Sequence, residues 1–302
     1  MNVGDAEILD HKEALSRLSP ELRATLQTRS DVAGLRHLSC YLLVLIAFAL
    51  WVGLKLPLWP VALLPLGILW SFLFTLSHEC THDTPFASRW INRVVGSACA
   101  LPLLLPFNWF RAFHMAHHKF TNDPAKDPEL NHGPRPETLW AYMKYLSGLS
   151  YWAGMAKTIW KNAFGDIDAP YLPRRQHKRM RLEARILLLA YAGLLCSLIW
   201  SPVLVWVWVV PSLIGQPFLR AYLLAEHGLC PPVANMLENS RTTFSNRLVR
   251  FLAWNMPFHA EHHAFPNVPF HQLPALHAEL KPHLKSTSDG YTAFHKDYRR
   301  QL

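Results

Sequence analysis

The sequence predicts an all-α integral membrane protein with four transmembrane helices in two hairpins and a cytoplasmic, histidine-rich helical cap. Two observations predict this fold class. About half of the 302 residues (51%) are apolar, and many of them lie in uninterrupted runs long enough to cross a bilayer. The basic residues collect in the segments that flank particular ends of these runs, as they do in multi-pass membrane proteins.

The four crossings are predicted from three apolar regions. The first two regions are 38–54 and 61–76, and the third, 186–224, is broken into two lengths by a Ser-Pro pair at 201–202. Each length is roughly 17 to 22 residues, close to what a helix needs to span the hydrocarbon core. A shorter apolar run at 94–107 contains two prolines, so we expect an interfacial or re-entrant segment there.

The charge distribution predicts the orientation of the chain. Lys and Arg number 30, against 21 for Asp and Glu. Only Lys55 follows the first crossing and no charge lies at 201–202, so both termini and the central loop are predicted to be cytoplasmic. Anionic lipid accounts for the basic surplus, and no nucleic acid partner is expected. The basic residues on the cytoplasmic side are Arg23, Arg29 and Arg36, followed in the central loop by Arg89, Arg93, Arg111, Lys119, Arg174, Arg175, Lys178, Arg179, Arg181 and Arg185.

One domain is predicted, because the chain has no internal repeat and no Ser/Gly-rich linker. It comprises a cytoplasmic N-terminal segment (1–37), four spans with the central loop (38–227), and a cytoplasmic cap and tail (228–302). The N-terminal segment is polar with mixed charge, so no cleavable signal is expected. The five cysteines are odd in number and include no C-x-x-C pair, so no disulfide framework is expected.

Histidine is unusually frequent, with 17 in the chain, and nine of them lie in four places. On a helix, spacings of three and four place side chains on one face, so the rings within each place point the same way. All four places fall at cytoplasmic span ends or in cytoplasmic segments. They are His78-Glu79-Cys80-Thr81-His82, His114-Met115-Ala116-His117-His118, His227, and His259-Ala260-Glu261-His262-His263.

These histidine clusters predict a metal centre. Imidazole groups without thiolates suit iron, copper, nickel or zinc. Eight or nine ligands are too many for one first-row ion but fit two, so the economical interpretation is a dinuclear centre. Basic rings at membrane-adjacent positions also need a common partner.

The three boxes carry a family resemblance. In the order H-E-x-x-H, H-x-x-H-H and H-x-x-H-H, around paired hairpins, they resemble the membrane fatty-acid desaturase and hydroxylase superfamily over residues 38–280. Finer features are similar to the branch that contains the sphingolipid desaturases and bacterial relatives. Those features are Glu79 in the five-residue first box, the Ala225-Glu226-His227 triplet, Trp254-Asn255 before the third box and Phe265-Pro266 after it.

The resemblance implies that the nine clustered histidines bind iron. One departure is Leu223, where some acyl-CoA desaturases have an asparagine ligand, and Asn255 is a weak substitute for it. Ligating imidazoles usually give their second N–H to a carboxylate, which predicts supporting roles for Glu79 and Glu226, and less strongly for Asp83, Asp123 and Glu261. The implied ligands are His78, His82, His114, His117, His118, His227, His259, His262 and His263.

The resemblance also implies an activity. An O₂-dependent desaturase of an acyl lipid chain, fatty acyl or sphingolipid-like, would use two non-haem Fe ions with O₂ as co-substrate. Desaturation and hydroxylation remain alternatives at this point. No haem-binding H-P-G-G, flavin or ferredoxin module is recognisable, so a separate donor of the ferredoxin, rubredoxin or cytochrome b5 type is expected. In a bacterium the location would be the inner membrane, in contact with membrane lipid.

Other interpretations differ in chemistry. A membrane zinc protease would use His78, Glu79 and His82 as H-E-x-x-H, but it would leave both H-x-x-H-H boxes idle. A haem carrier needs His pairs deep in the spans and a metal transporter needs polar groups near the midplane, whereas the spans of this chain contain almost no ionisable residue. Within the oxidase class, the substrate could instead be an amino-acid-derived ether of the dihydrorhizobitoxine type, or a carotenoid.

Overall fold

The computed structural model describes residues 8–302, apart from the side chain at position 132. The described chain is mostly helical, and its sheet is a two-residue parallel ladder. The helices are α1 (His11–Ser16), α2 (Pro20–Leu26), α3 (Asp31–Gly53), α4 (Trp59–Thr81), α5 (Arg89–Leu103), α6 (Phe107–Phe120), α7 (Pro128–His132), α8 (Leu139–Leu146), α9 (Leu149–Phe164), α10 (His177–Ser197), α11 (Val210–His227), α12 (Met236–Asn239), α13 (Arg247–Leu252), α14 (His259–Ala264), α15 (Leu273–Leu280) and α16 (Tyr291–Arg299); the strands are β1 (Thr242–Thr243) and β2 (Thr287–Ser288).

Three helical segments within residues 8–302 are long and apolar enough to cross a membrane: Pro20–Gly53, Trp59–Thr81 and Val205–His227. A fourth crossing meets this criterion only if α5 and α6, which are bent by 101° at their junction, count as one span. The helical membrane class is therefore confirmed. The number of four spans, their pairing in two hairpins and the orientation of the termini stay predictions.

Helix α10 differs from the third predicted crossing. The sequence predicts a span that begins at residue 186, whereas α10 begins at His177 and carries Arg181, Glu183 and Arg185 in its first half. These charges exclude the helix from the apolar spans. Its main neighbour is α9, whereas the main neighbour of α11 is α4.

Glu183 of α10 supports the N-terminus of α6. Its carboxylate accepts hydrogen bonds from the backbone N–H groups of Phe107 (3.0 Å) and Asn108 (2.9 Å). The first N–H groups of a helix have no intrahelical partner, and a negative charge is favourable beside them. This contact fixes the start of the helix that carries the second histidine box, directly after the bend from α5.

The closest helix crossing joins α4 to α11 through glycine. A Cβ added to Gly67 would overlap the carbonyl oxygen of Pro211, and one added to Gly215 would overlap the carbonyl oxygen of Gly67. Such small residues let membrane helices approach backbone to backbone. The indole N–H of Trp70 donates to the carbonyl of Val207 (2.8 Å) and strengthens the same contact. The crossing holds the C-terminal ends of α4 and α11 side by side.

The C-terminal cap holds α14 over these helix ends. Strands β1 and β2 pair with Thr242 opposite Thr287. The hydroxyl of Thr242 donates to Oε2 of Glu261 (2.5 Å), and Nδ1 of His277 hydrogen-bonds to the other oxygen of that carboxylate. Because Glu261 projects from the face of α14 opposite to His259 and its neighbours, these bonds anchor the helix from behind.

We expect Gly215→Ala to lower the free energy of unfolding by about 1–3 kcal/mol, because the new methyl group overlaps the backbone of α4. Gly193→Ala is the matched control: a Cβ there meets nothing within 4 Å, so the helix preference of alanine should leave stability unchanged or raise it. Thermal unfolding in detergent measures both. Equal behaviour of the two variants would contradict the close crossing.

Candidate metal centre

The four histidine-bearing segments converge at one end of the paired helices. Helix α4 packs against both α6 and α11. As a result, the rings of His78 and His114 lie 4.1 Å apart between centroids, and α14 approaches α11 with the rings of His227 and His259 4.8 Å apart. All nine predicted ligands are brought into one region, although their sequence positions span residues 78–263.

The nine rings form two adjacent groups. Within each group, one ring nitrogen from every residue lies within 4.8 Å of the others. His259 joins the second group, because its Nε2 is 3.0 Å from Nε2 of His227. The stacked rings of His118 and His263, with centroids 4.1 Å apart, connect the two groups. The first group is His78, His82, His114, His118 and His262, and the second is His117, His227 and His263.

The nitrogen spacing fits metal coordination. Nitrogens bound to one ion through bonds of about 2.0–2.1 Å lie about 3 Å from their neighbours. The short Nε2–Nε2 distances are 2.9 Å for His82–His114, 3.1 Å for His117–His227, 3.0 Å for His227–His259 and 3.2 Å for His118–His262.

Hydrogen bonding on the far side of the rings indicates that the pair His117–His227 favours a cation between its inner nitrogens. Nδ1 of His117 is 3.0 Å from Oδ1 of Asp127, and Nδ1 of His227 is 3.2 Å from the carbonyl oxygen of Asn239. Both Nδ1 atoms therefore carry the proton, and in neutral rings both Nε2 atoms present lone pairs. Two lone pairs 3.1 Å apart repel unless a cation lies between them. Bound metal supplies that cation without placing several imidazolium charges in contact.

The carboxylates of Glu226 and Glu79 lie next to the outer nitrogens of two rings of the third box, and their supporting roles stay predictions. Oε1 of Glu226 is 3.4 Å from Nδ1 of His259, and Oε1 of Glu79 is 3.6 Å from Nδ1 of His262. Glu79 is fully buried, and the hydroxyl of Thr84 donates to its other oxygen at 3.1 Å. A carboxylate in this position orients a ligating ring and raises its basicity.

Burial keeps the rings of α14 neutral. Transfer from water into the packed interior lowers the pKa of His262 to about 3 and depresses the pKa values of His259 and His263, with the neighbouring imidazoles adding to the effect. A neutral imidazole is the form that binds a metal ion, and at physiological pH these rings are in that form.

Three of the carboxylates near the boxes have other partners. Asp83 pairs with Arg111 at 2.9 Å, Asp123 pairs with Lys126 at the surface, and Glu261 anchors α14 from behind. The amide of Asn255 donates to the carbonyl of Phe270 (2.9 Å), and its role at the metal centre stays a prediction.

Two carboxylates that face His117 are not apparent from the sequence. Asp127 is buried against its Nδ1, and Glu129 lies 3.4 Å from the same atom. Asp127 caps the short helix α7 and Glu129 lies in its first turn, in a stretch whose Asn, Asp and Pro residues are typical of an ordinary turn. The only signal in the sequence is the Asp127-Pro128 pair, which is typical of a helix start and does not point to a metal site.

Comparison with known proteins agrees with this geometry. The sequence model described as fatty acid desaturase matches residues 55–295. The chain belongs to the fatty acid desaturase family. It is therefore an oxidoreductase.

The relatives of this desaturase-family chain are distant. It is 25% identical to the sn-1 oleoyl-lipid 12-desaturase of a Picosynechococcus species, over 80% of this chain and 72% of the relative. It is 27% identical to the dihydrorhizobitoxine desaturase of Bradyrhizobium elkanii (70% and 65%) and 24% identical to the sphingolipid delta(4)-desaturase of Xenopus tropicalis (65% and 58%).

The zinc-protease interpretation conflicts with both findings. A catalytic zinc site uses three protein ligands and one open position. In this desaturase-family chain, His78 and His82 share their group with three further histidines. Glu79 projects toward His262 rather than into open space beside the pair.

A cavity of about 280 Å³ opens beside the histidines. Aromatic side chains from α4 and α6 form one wall, and residues of α9 and α11 form the other. Small-molecule sites in proteins range from about 300 to 1,000 Å³, so this volume suits a small ligand or part of a longer one. The histidines that line it are His78, His114, His117, His227 and His259.

We expect Asp127→Asn to weaken Fe(II) binding by about 10- to 100-fold, because the amide no longer holds the proton on Nδ1 of His117. Asp123→Asn is the matched control, since this carboxylate lies four residues away and pairs with Lys126 at the surface. Competition with a chelator of known affinity measures both variants. Equal iron affinity in both would contradict the role of Asp127.

Proposed function

We propose that this protein is an O₂-dependent di-iron desaturase of an acyl lipid chain, fatty acyl or sphingolipid-like. The observation that carries the proposal is the pair of adjacent histidine groups, with lone pairs facing each other, at the head of an aromatic-walled cavity. The similarity to acyl-lipid and sphingolipid desaturases supports an acyl substrate.

Each of the two histidine groups would bind one metal ion. The group of His78, His82, His114, His118 and His262 would hold one iron ion. The group of His117, His227 and His263, with His259, would hold the other. Two bound iron ions supply the activation of O₂ and the removal of hydrogen from an unactivated C–H bond, which protein side chains cannot perform.

The other residues position the substrate and the ligands. Phe74, Phe110 and Phe113 line the cavity beside His78 and His114, and we propose that they hold an apolar chain against the metal centre and exclude water. Asp127, Glu226 and Glu79 would keep the rings oriented.

Removing two hydrogens while reducing O₂ to two molecules of water requires two further electrons. We propose that a separate protein supplies them on the cytoplasmic side, where both termini of this single-domain chain lie. A relative that is 23% identical is named an sn-1 acyl-lipid omega-3 desaturase (ferredoxin). Its name favours a ferredoxin over the rubredoxin or cytochrome b5 alternatives. In a bacterium, the protein would act in the inner membrane.

A second substrate class is an amino-acid-derived ether. Similarity to dihydrorhizobitoxine desaturase and the small volume of the cavity favour it. A carotenoid is the third, on the basis of 24% identity to a zeaxanthin 4-ketolase of Chlamydomonas reinhardtii. Lipid and metabolite profiles of cells that express the protein distinguish the three classes.

We expect about two non-haem irons per chain in protein purified from iron-supplied cells, because each histidine group binds one ion. His262→Ala should lose much of this iron. His283→Ala is the matched control, since His283 lies outside both groups and contacts the backbone of Leu9. Elemental analysis together with a haem spectrum gives the answer. One zinc per chain, haem, or iron content indifferent to His262 would refute the di-iron proposal.

We expect Gly154→Leu to lower product formation by about ten-fold or more while iron content is unchanged. Gly154 lines the cavity, and a Cβ there meets nothing within 4 Å, so a larger side chain occupies the space proposed for substrate. Gly193→Leu is the control, because it also has open space but lies outside the cavity wall. Undiminished product from Gly154→Leu would exclude this cavity as the substrate site.

A further inference from the structure

Helix α11 carries polar side chains without partners inside the segment Val205–His227, which is apolar enough to cross a membrane. Gln216 is 1% exposed, and neither atom of its amide has a hydrogen-bond partner among the described residues. Four residues further on, Nε and Nη2 of Arg220 are also buried without a partner. Residues spaced by four lie on one helix face, so both groups face the same side.

The charged Arg220 needs a partner more than the neutral Gln216 does. Its guanidinium lies 4.5 Å from the centroid of the Tyr151 ring, and it lines the same cavity as His227. Within residues 8–302 no carboxylate lies within salt-bridge distance of it. The two acidic residues that line the cavity, Glu129 and Glu226, face His117 and His259 instead.

A half-buried guanidinium with two buried, unpaired nitrogens favours an anionic partner. An arginine is charged at any physiological pH, and leaving Nε and Nη2 unpaired inside a membrane segment is costly. Stacking on Tyr151 offsets part of that cost. The planar fork of N–H donors matches a carboxylate or a phosphate, and the cavity leaves room for one.

We propose that Arg220 binds an anionic group of the substrate, a carboxylate or a phosphate, at the end of the cavity remote from the histidines. The inference rests on the proposed function, because it takes the cavity as the substrate site. Arg220 and His227 are seven residues apart on one helix face, which corresponds to a rise of about 10 Å. The substrate is thus an acid-bearing amphiphile whose chain extends along the aromatic wall toward the histidines. A neutral carotenoid does not fit this arrangement.

Ligand binding to the full-length, iron-loaded protein in nanodiscs of zwitterionic lipid tests the proposal. The probes are octanoate, octyl phosphate and octanol, which share an apolar chain and differ in the head group; empty nanodiscs correct for partition into lipid. We expect at least one of the two anions to bind about ten-fold or more tightly than octanol. Equal affinity for all three would overturn the proposal without the use of any variant.

Three variants assign the effect to Arg220. Arg220→Gln should remove the preference for anions, and Arg220→Lys should keep part of it, since lysine retains the charge but not the fork. Arg93→Gln is the matched control, because Arg93 is exposed on α5 and lies outside the cavity wall. A preference for anions that survives in Arg220→Gln, or disappears in Arg93→Gln, would contradict the assignment.

Further measurements on the same samples separate this inference from the proposed function. Iron content of Arg220→Gln should equal that of the wild type, because Arg220 is not a ligand. If no unsaturated product forms but anion preference depends on Arg220, the desaturase proposal fails and the binding site stands. If unsaturated product forms but no anion preference is found, the desaturase proposal stands and the anion site at Arg220 fails. Competition by nanodiscs that contain phosphatidylglycerol identifies a lipid phosphate as the source, and indifference to that lipid identifies a free acid.

Discussion

The facing Nε2 atoms of His117 and His227, 3.1 Å apart among the nine clustered rings, are the contact on which the arrangement of the candidate site depends. Asp127 and the carbonyl of Asn239 hold protons on the outer nitrogens of His117 and His227, so the inner nitrogens present lone pairs. That arrangement is unfavourable without a cation and strongly favourable with one. The surrounding fold therefore holds the rings at a spacing that would suit a bound metal ion.

The crossing of α4 with α11 and the C-terminal cap together hold the histidine rings in place. Contact between Gly67 and Gly215 sets the ends of α4 and α11 side by side, and Glu183 fixes the start of α6. The hydrogen bond from Thr242 to Glu261 anchors α14 on the face away from its histidines, so these rings stay pointed toward the other histidines. Each support lies on a different part of the chain, which explains how rings far apart in sequence reach coordination distance.

The cavity beside the metal centre combines two environments. Aromatic side chains of α4 and α6 make one wall apolar, whereas Arg220 and Gln216 of α11 place unpaired polar atoms in a segment that is otherwise suited to lipid. An apolar wall alone would accept any chain. In the proposal above, the guanidinium of Arg220 restricts the choice to molecules that present an anion at a set distance from the histidines.

The sequence by itself determined the helical membrane class, the family and the nine histidines, because helix periodicity, apolar run length and box spacing are local properties. Only the tertiary structure decided how the histidines divide into two groups and which groups stand behind them. The contacts of Asp127 with His117 and of Glu183 with α6 depend on segments that meet only after folding. The same holds for Nε and Nη2 of Arg220, which have no hydrogen-bond partner within residues 8–302. The sequence places the charged first half of α10 just before a predicted span. In the structure, Glu183 from that half instead caps α6, which begins 76 residues earlier in the chain, because hydrogen bonds and charges act through space and not along the chain.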